Sequence, residues 1–175
     1  DSGREGLTAR RDRMKAVTSA ILDRAGPHVR YTLICFYTRP LPVVRSAFDK
    51  AIVRNVLNDL PIERAMSSGK TDLGSAVAKG IEAARDLSPR PTTLIVVTDG
   101  DTNNPPIVGD VPDSLRAALV LGVGDTKVGL PIDGQLSRQD SDLLEDLAAD
   151  LDGHYLNVND AHVPATDIAH LLSSP

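Results

Sequence analysis

The chain repeats its apolar residues at helical spacing in several stretches. In the first, Met14, Val17, Ile21 and Leu22 recur among Arg, Lys and Asp side chains, which is typical of a helix with one buried face. The stretches with this spacing are residues 8–25, 49–60, 72–87 and 141–152, with a shorter one at 166–172. We predict a helix at each of them, preceded by an opening loop over residues 1–7. Gly153 is expected to cap the fourth helix.

Runs of β-branched and other apolar residues separate these helices. The run from Thr92 to Thr98 contains no charged residue, as expected for a central parallel strand that is covered on both faces. Further strands are predicted over residues 29–37, 115–123 and 155–158, with a short edge strand near 43–44 because Pro40 and Pro42 interrupt pairing. Polar loops are predicted over residues 99–112 and 124–137.

This alternation of helices and strands predicts an α/β fold. We expect a Rossmann-like, doubly wound and mostly parallel central sheet flanked by helices, with functional loops at the carboxyl ends of the strands. The length of 175 residues suits a single domain over residues 1–175. Such a sheet has its first strand at the centre, yet no strand pattern precedes the first helix. The first strand is therefore missing from this chain or lies upstream, or another element fills its place.

Composition narrows the classes of partner. The formal net charge of -5 leaves no basic stripe that could neutralise nucleic-acid phosphates, so no nucleic-acid partner is expected. No stretch reaches the ~18 consecutive apolar residues that span a bilayer. We expect a soluble domain with no membrane contact of its own, and leave open both the compartment and a membrane anchor elsewhere in the intact protein.

Two loops carry candidate chemistry. Asp99 follows the predicted buried strand directly, and Gly100 lets the backbone turn there. Some 28 residues upstream, Thr71 lies in a glycine-bearing loop before a predicted helix. A hard cation such as Mg²⁺ takes oxygen ligands and keeps several waters, so hydroxyls with one or two carboxylates are suitable donors. The pair predicts a divalent-metal site.

The same residues resemble part of a known family motif. The sequence from Gly69 to Ala76, taken with Val96-Val97-Thr98-Asp99-Gly100, looks like the second and third parts of the metal-ion-dependent adhesion site of von Willebrand factor A domains. The likeness continues through the Leu121–Asp125, Ser137–Asp140 and Leu147–Tyr155 stretches. Those stretches are similar to the bacterial aerotolerance-type (Bat-like) branch, whose genes commonly accompany MoxR-type AAA+ ATPases.

The resemblance implies a non-catalytic domain that binds a protein partner through a metal. Thr71 would coordinate the cation directly and Asp99 directly or through water, with Mg²⁺ as the first choice and Mn²⁺ or Ca²⁺ as others. The partner would supply an acidic side chain, and a MoxR-type ATPase system is the expected context. For the first part of the motif, Asp-x-Ser-x-Ser, two alternatives stay open. With an aspartate immediately before residue 1, Ser2 would be its first serine and Arg4 would replace the second; alternatively, the whole motif lies upstream.

Simpler interpretations compete with this site. Thr71 by itself suits a helix N-cap, and Asp99 by itself suits a turn. The loop of residues 101–106 is either a rim of the partner site or an ordinary exposed loop. A phosphate-binding loop is rejected because its first glycine would fall at Arg64. The alternative functions are a Mg²⁺-dependent hydrolase or phosphotransferase that uses Asp99 as a ligand, and a structural domain whose metal site has decayed.

Overall fold

A computed structural model describes residues 2–36, 38–59, 71–132 and 135–159. The helices are α1 (Ser2–Arg24), α2 (Lys50–Asp59), α3 (Leu73–Asp86) and α4 (Ser141–Asp150). The strands are β1 (Tyr31–Phe36), β2 (Pro40–Ala47), β3 (Thr92–Thr98), β4 (Leu115–Gly122), β5 (Leu130–Ile132), β6 (Gln135–Ser137) and β7 (His154–Asn157). The mixed order of helices and strands confirms the α/β class.

Three strands form a parallel sheet in the order β3-β4-β7. Strand β4 is its centre, with Val97 opposite Leu121 on one side and Leu121 opposite Leu156 on the other. Ala118 and Val120 of β4 belong to one apolar cluster, and Leu119 and Leu121 to another. Since successive side chains of a strand point to opposite faces, both faces of the sheet are covered, which confirms the predicted doubly wound arrangement.

Helices cover the two faces of this sheet. Val17 and Ile21 of α1 pack on the face that carries Leu119 and Leu121. Helices α3 and α4 pack on the opposite face, where the buried residues are Leu73, Val77, Ile81, Val96, Ala118, Val120, Leu144, Leu147, Ala148 and Leu151. The buried apolar residues of the described core are all aliphatic, in keeping with an aromatic content of 3%.

Strands β1 and β2 form a separate antiparallel hairpin. Its second strand begins at Pro40 and is longer than the short edge strand that was expected, because a proline at the edge of a two-stranded ribbon can leave its outer side unpaired. Among the described strands, the hairpin has no ladder with the parallel sheet, and β3 pairs with β4 alone. Helix α3 contacts both sheets. A central first strand between them stays a prediction.

Three local predictions are wrong. The expected opening loop is helical from Ser2. The expected loop over residues 124–137 contains the β5–β6 hairpin. Helix α4 is capped at Leu151 and Asp152 takes the positive φ, whereas Gly153 is needed because a Cβ there would lie 2.4 Å from the carbonyl oxygen of Ala118. The helix predicted over 166–172 lies outside the described residues.

Candidate functional site

The side chain of Asp99 lies where β3 ends. Thr98 closes the strand, and its hydroxyl accepts a hydrogen bond from the Gly100 N–H at 3.1 Å. Gly100 has a φ of +78°, and a Cβ there would lie 3.0 Å from the carbonyl oxygen of Asp140, so glycine suits the turn on both counts. The Asp140 N–H donates to the main-chain carbonyl of Asp99 at 2.8 Å. This turn fixes Asp99 against the start of α4.

Both oxygens of the Asp99 carboxylate have partners. Oδ2 accepts from Nη1 of Arg10 at 2.8 Å and from the Ser137 hydroxyl at 3.4 Å. Oδ1 accepts from the Asp101 N–H at 3.2 Å. The side chains of Arg10 and Asp99 are 11% and 23% exposed. The ion pair is therefore largely withdrawn from water, where salt screens it less than a surface pair.

Three oxygen atoms surround the guanidinium of Arg10. Nη1 donates to Oδ2 of Asp99 and to the hydroxyl of Ser137, the latter at 3.0 Å, and Nη2 donates to the main-chain oxygen of Ser137 at 2.8 Å. The backbone of Gly124 also lies against the guanidinium, since a Cβ at Gly124 would lie 2.9 Å from Nε of Arg10. Carboxylate, hydroxyl and carbonyl oxygens are the donors that a hard cation takes. The residues here fit a positive charge, and Arg10 supplies it.

Burial and Arg10 act on the Asp99 carboxylate in opposite directions. Burial, the larger influence, raises its pKa, while the Arg10 guanidinium and the hydrogen bonds from Asp101 and Ser137 lower it, and the pKa stays above its usual value. Withdrawal from water disfavours the charged form and a nearby cation favours it. Asp99 therefore gains from a positive charge beside it.

The loop that carries Thr71 adjoins the loop that follows Asp99. The hydroxyl of Thr102 donates to the main-chain oxygen of Thr71 at 2.7 Å, and the Asn103 N–H donates to the same oxygen at 3.2 Å. The Thr102 hydroxyl also accepts from the Leu73 N–H at 3.2 Å. Thr71 and Asp99 thus lie in adjoining loops at the carboxyl end of the sheet.

Asp72, and not Thr71, caps helix α3. The Asp72 side chain accepts from the Ser75 N–H at 2.9 Å and from the Asn104 amide at 2.7 Å. The hydrogen bonds from Ser75 are the largest cause of its lowered pKa. The alternative interpretation of Thr71 as an N-cap is wrong, because the helix begins one residue later than that interpretation requires. The hydrogen bond from Asn104 to Asp72 means that part of the 101–106 loop contacts the start of α3.

Ser2 is the first residue of helix α1. A helix rises about 1.5 Å per residue, so the backbone of Ser2 is roughly 12 Å along the axis from that of Arg10. The Ser2 side chain lies outside the part of the chain that the structure describes. Its role as a metal ligand stays a prediction.

The sequence prediction missed Arg10 and Ser137. Arg10 precedes Met14, Val17 and Ile21 at the same helical spacing, and a charged residue in line with a buried face needs a buried partner. In β6, Leu136 is 76% exposed while Ser137 is 6% exposed. This inversion of the usual pattern marks a site where a polar contact determines the orientation of the strand.

A cleft of about 400 Å³ adjoins Asp99. It is lined by the turn after β3, by the β6 end of the hairpin and by the start of α4; its charged residues are Asp101, Arg138, Asp140 and Asp142. Within the described residues, no group of three or more His, Cys, Asp and Glu side chains is placed to hold a metal ion. A cation at Asp99 would therefore need hydroxyl, water or partner oxygens as well.

Among solved structures, the chain is similar in fold to two proteins from Bacteroides. One is an aerotolerance-related membrane protein from Bacteroides fragilis, with 18% identity, a TM-score of 0.70, and coverage of 93% of this chain and 87% of that chain. The other is a conserved hypothetical protein, BatB, from Bacteroides thetaiotaomicron, with 19% identity, a TM-score of 0.72, and coverage of 93% and 86%. At this identity the likeness shows the shared fold.

Two further comparisons gave no match. No family model matches the sequence, and no curated protein matches it. In the part of the chain that the structure describes, none of the helices combines the length and apolarity needed to cross a membrane.

Proposed function

We propose that the chain is a von Willebrand factor A-type domain that binds a protein partner through a divalent cation at Asp99 and Thr71, without catalysis. One observation carries the proposal. Three oxygen atoms converge on the positive charge of Arg10 at the carboxyl end of β3, in a loop that adjoins the one bearing Thr71. Crevices at this end of a parallel sheet are the usual ligand sites of doubly wound folds.

The burial of Asp99 supports a cation as its ligand. Its carboxylate is mostly buried and its pKa is raised, so a cation beside it relieves the cost of keeping the charged form. Mg²⁺ is held in proteins by one or two carboxylates, with other oxygens and waters completing the octahedron. Asp99 offers the carboxylate and Thr71 a hydroxyl. The bound cation would supply an open coordination position that a partner's acidic side chain fills.

The proposed context is a bacterial Bat-like system. The two similar structures are described as an aerotolerance-related membrane protein and as BatB. By analogy we propose that this domain belongs to a membrane-anchored protein that works with a MoxR-type ATPase. The loops around Thr71 and after Asp99 would then set which acidic partner is accepted.

Calorimetric titration with MgCl₂ tests the metal site. We expect the chain to bind Mg²⁺ and Asp99→Asn to bind it about tenfold more weakly or worse, because a charge-assisted contact of about 1.5–3 kcal/mol is lost. Asp113→Asn is the matched control, since Asp113 is an exposed carboxylate before β4, at the opposite end of the sheet. Equal binding by Asp99→Asn and Asp113→Asn would exclude Asp99 as a ligand.

Two further results would separate the alternatives. Magnesium-dependent hydrolysis of a phosphoester that is lost in Asp99→Asn would favour the hydrolase. An absence of metal binding both by the unaltered chain and by a variant without the Arg10 side chain would favour the structural domain with a decayed site. Capture of a MoxR-type ATPase with Mg²⁺, and its loss with a chelator, would support the proposed partner.

A further inference from the structure

Arg10 occupies Oδ2, one of the two carboxylate oxygens that Asp99 could offer to a cation. Its Nη1 lies 2.8 Å from Oδ2 of Asp99, and the same nitrogen and its neighbour Nη2 engage Ser137. The close approach of Gly124 leaves room for the flat guanidinium and for no side chain at that position. With 11% of its side chain exposed, Arg10 is an internal part of the site.

A guanidinium and a metal ion cannot use the same carboxylate oxygen in the same way. Arg keeps its charge at any physiological pH and has only donors to offer. A Mg²⁺ ion lies about 2.1 Å from its ligand oxygens. Two positive charges on Oδ2 of Asp99 would repel each other strongly in a site so poorly exposed to water. Binding of a cation directly to this oxygen therefore requires that Arg10 leaves.

The Arg10 side chain can leave Asp99 while the rest of α1 stays in place. Among the residues that the structure describes, Nε of the buried Arg10 guanidinium has no hydrogen-bond partner, so the side chain gives up fewer hydrogen bonds when it leaves. Further along α1, Val17 and Ile21 stay packed against the sheet, and Nε of Arg13 donates to the main-chain oxygen of Val158. The helix keeps these attachments when Arg10 is released.

We infer that Arg10 is a built-in competitor for the cation at Asp99, so that metal binding displaces its side chain and loosens the contact of α1 with the β6 end of the hairpin. The inference rests on the proposed metal site. In the metal-free state, Arg10 neutralises Asp99 and keeps the site closed to weakly binding cations. Binding of metal would then free a positively charged side chain beside the partner site.

Calorimetry on matched arginine variants tests the competition. MgCl₂ is titrated at constant ionic strength into the unaltered chain, Arg10→Gln and Arg24→Gln. Arg24→Gln removes the same charge from the same helix, at an exposed position where the side chain donates a hydrogen bond to the main-chain oxygen of Ala20. We expect Arg10→Gln to bind Mg²⁺ about tenfold more tightly than the unaltered chain, since a charge-assisted contact no longer has to be broken. Arg24→Gln should bind like the unaltered chain.

A spectroscopic measurement follows the side chain directly. In ¹⁵N NMR spectra of the unaltered chain, the Nε–H signal of Arg10, assigned by its absence in Arg10→Gln, should move to the position of a free arginine as Mg²⁺ is added. The signal is followed in the unaltered chain, and Arg10→Gln serves only to assign it.

Arg10→Lys keeps the charge without the planar guanidinium. Its Mg²⁺ affinity should lie between those of the unaltered chain and Arg10→Gln.

The outcomes distinguish the competition from the metal site itself. Equal Mg²⁺ affinity in the unaltered chain and Arg10→Gln, or an Arg10 signal that does not move at saturation, would overturn the competition and leave the site standing. Binding seen only in Arg10→Gln would support a strong competitor. An absence of binding in the unaltered chain and in every variant would overturn both the site and the competition.

Discussion

The aliphatic core and the Asp99 cluster are built by opposite means. Around α3, β4 and α4, ten buried residues are apolar and neutral. At the carboxyl end of β3, the ion pair between Arg10 and Asp99 and the hydroxyl of Ser137 are enclosed in the fold. The core depends on apolar area and close packing, whose contribution is large and insensitive to pH. The cluster depends on charge, which gives little net stability but a specific partner for each group.

Because of this difference, each region can be altered by substitution while the other keeps its interactions. The core contains no group that could respond to a cation, and the cluster contributes little apolar area. Substitutions that separate packing from charge should therefore affect stability by different amounts and with different dependence on conditions.

The largest effect is expected in the core. Leu147 is 2% exposed and packs between α4 and the sheet, so Leu147→Ala should lower the free energy of unfolding by about 2–5 kcal/mol through lost transfer energy and the cavity left behind. Chemical denaturation measures the change. Ile107 is 92% exposed, and Ile107→Ala should change it by less than about 0.5 kcal/mol. Similar effects at the two positions would contradict the assignment of the core.

The next effect should come from the ion pair. Arg10→Gln leaves Asp99 partly buried without its cation, and we expect a loss of about 1–3 kcal/mol. Since Asp99→Asn removes the same contact, a double-mutant cycle should show the two changes to be less than additive. Arg24→Gln is the control and should cost less than about 0.5 kcal/mol. Additive losses at Arg10 and Asp99 would mean that the pair is not coupled.

A smaller effect is expected at the start of α3, which links the core to the site loops. Asp72→Ala removes the N-cap and the contact with Asn104, and should cost about 1 kcal/mol. Asp142→Ala, in the first turn of α4 but not at its cap, is the matched control and should cost less. Thermal unfolding of both variants measures the difference, and a larger loss at Asp142 would contradict the assigned cap.

The smallest effect is a dependence on pH with opposite signs at two aspartates. The raised pKa of Asp99 means that its contribution to stability is complete below the unfolded-state pKa and is lost as pH rises through the folded-state value. Hydrogen bonds from the N–H groups of Val128 and Lys127 lower the pKa of Asp125, so its contribution is present above the unfolded-state pKa and is lost as pH falls through the folded-state value.

Denaturation across the acidic range tests this contrast. The stability of the unaltered chain relative to Asp99→Asn should decline as pH rises, and its stability relative to Asp125→Asn should increase. Changes of the same sign at both positions would rule out the contrast between the buried and the exposed carboxylate.

The regular part of the fold follows from the sequence. Strand β3 has the predicted bounds, and α3 differs from its predicted range by one residue at each end. Both elements have a clear period and strong end signals, so local preference and burial agree. Asp99 was predicted from its place after β3. The sequence could not give its pairing with Arg10, because 89 residues separate the two and only the packing of α1 on the sheet brings them together.

The β5–β6 hairpin shows the other limit. Each of its strands has three residues, too few for an alternating pattern to stand out from a loop. Its polar Ser137 faces inward and its Leu136 outward, which reverses the signal that sequence analysis uses. The contact with Arg10 determines this orientation, and that contact exists only in the folded chain.

Helix α3, which contacts both sheets, has a consequence for how the chain unfolds. Among the described strands, no backbone hydrogen bonds link the β1–β2 hairpin to the parallel sheet, so the hairpin can open with the ladder of β3, β4 and β7 intact. Among the described elements, cooperativity between the two sheets therefore depends on side-chain contacts, including those with α3. A weakened α3 would divide one unfolding transition into two.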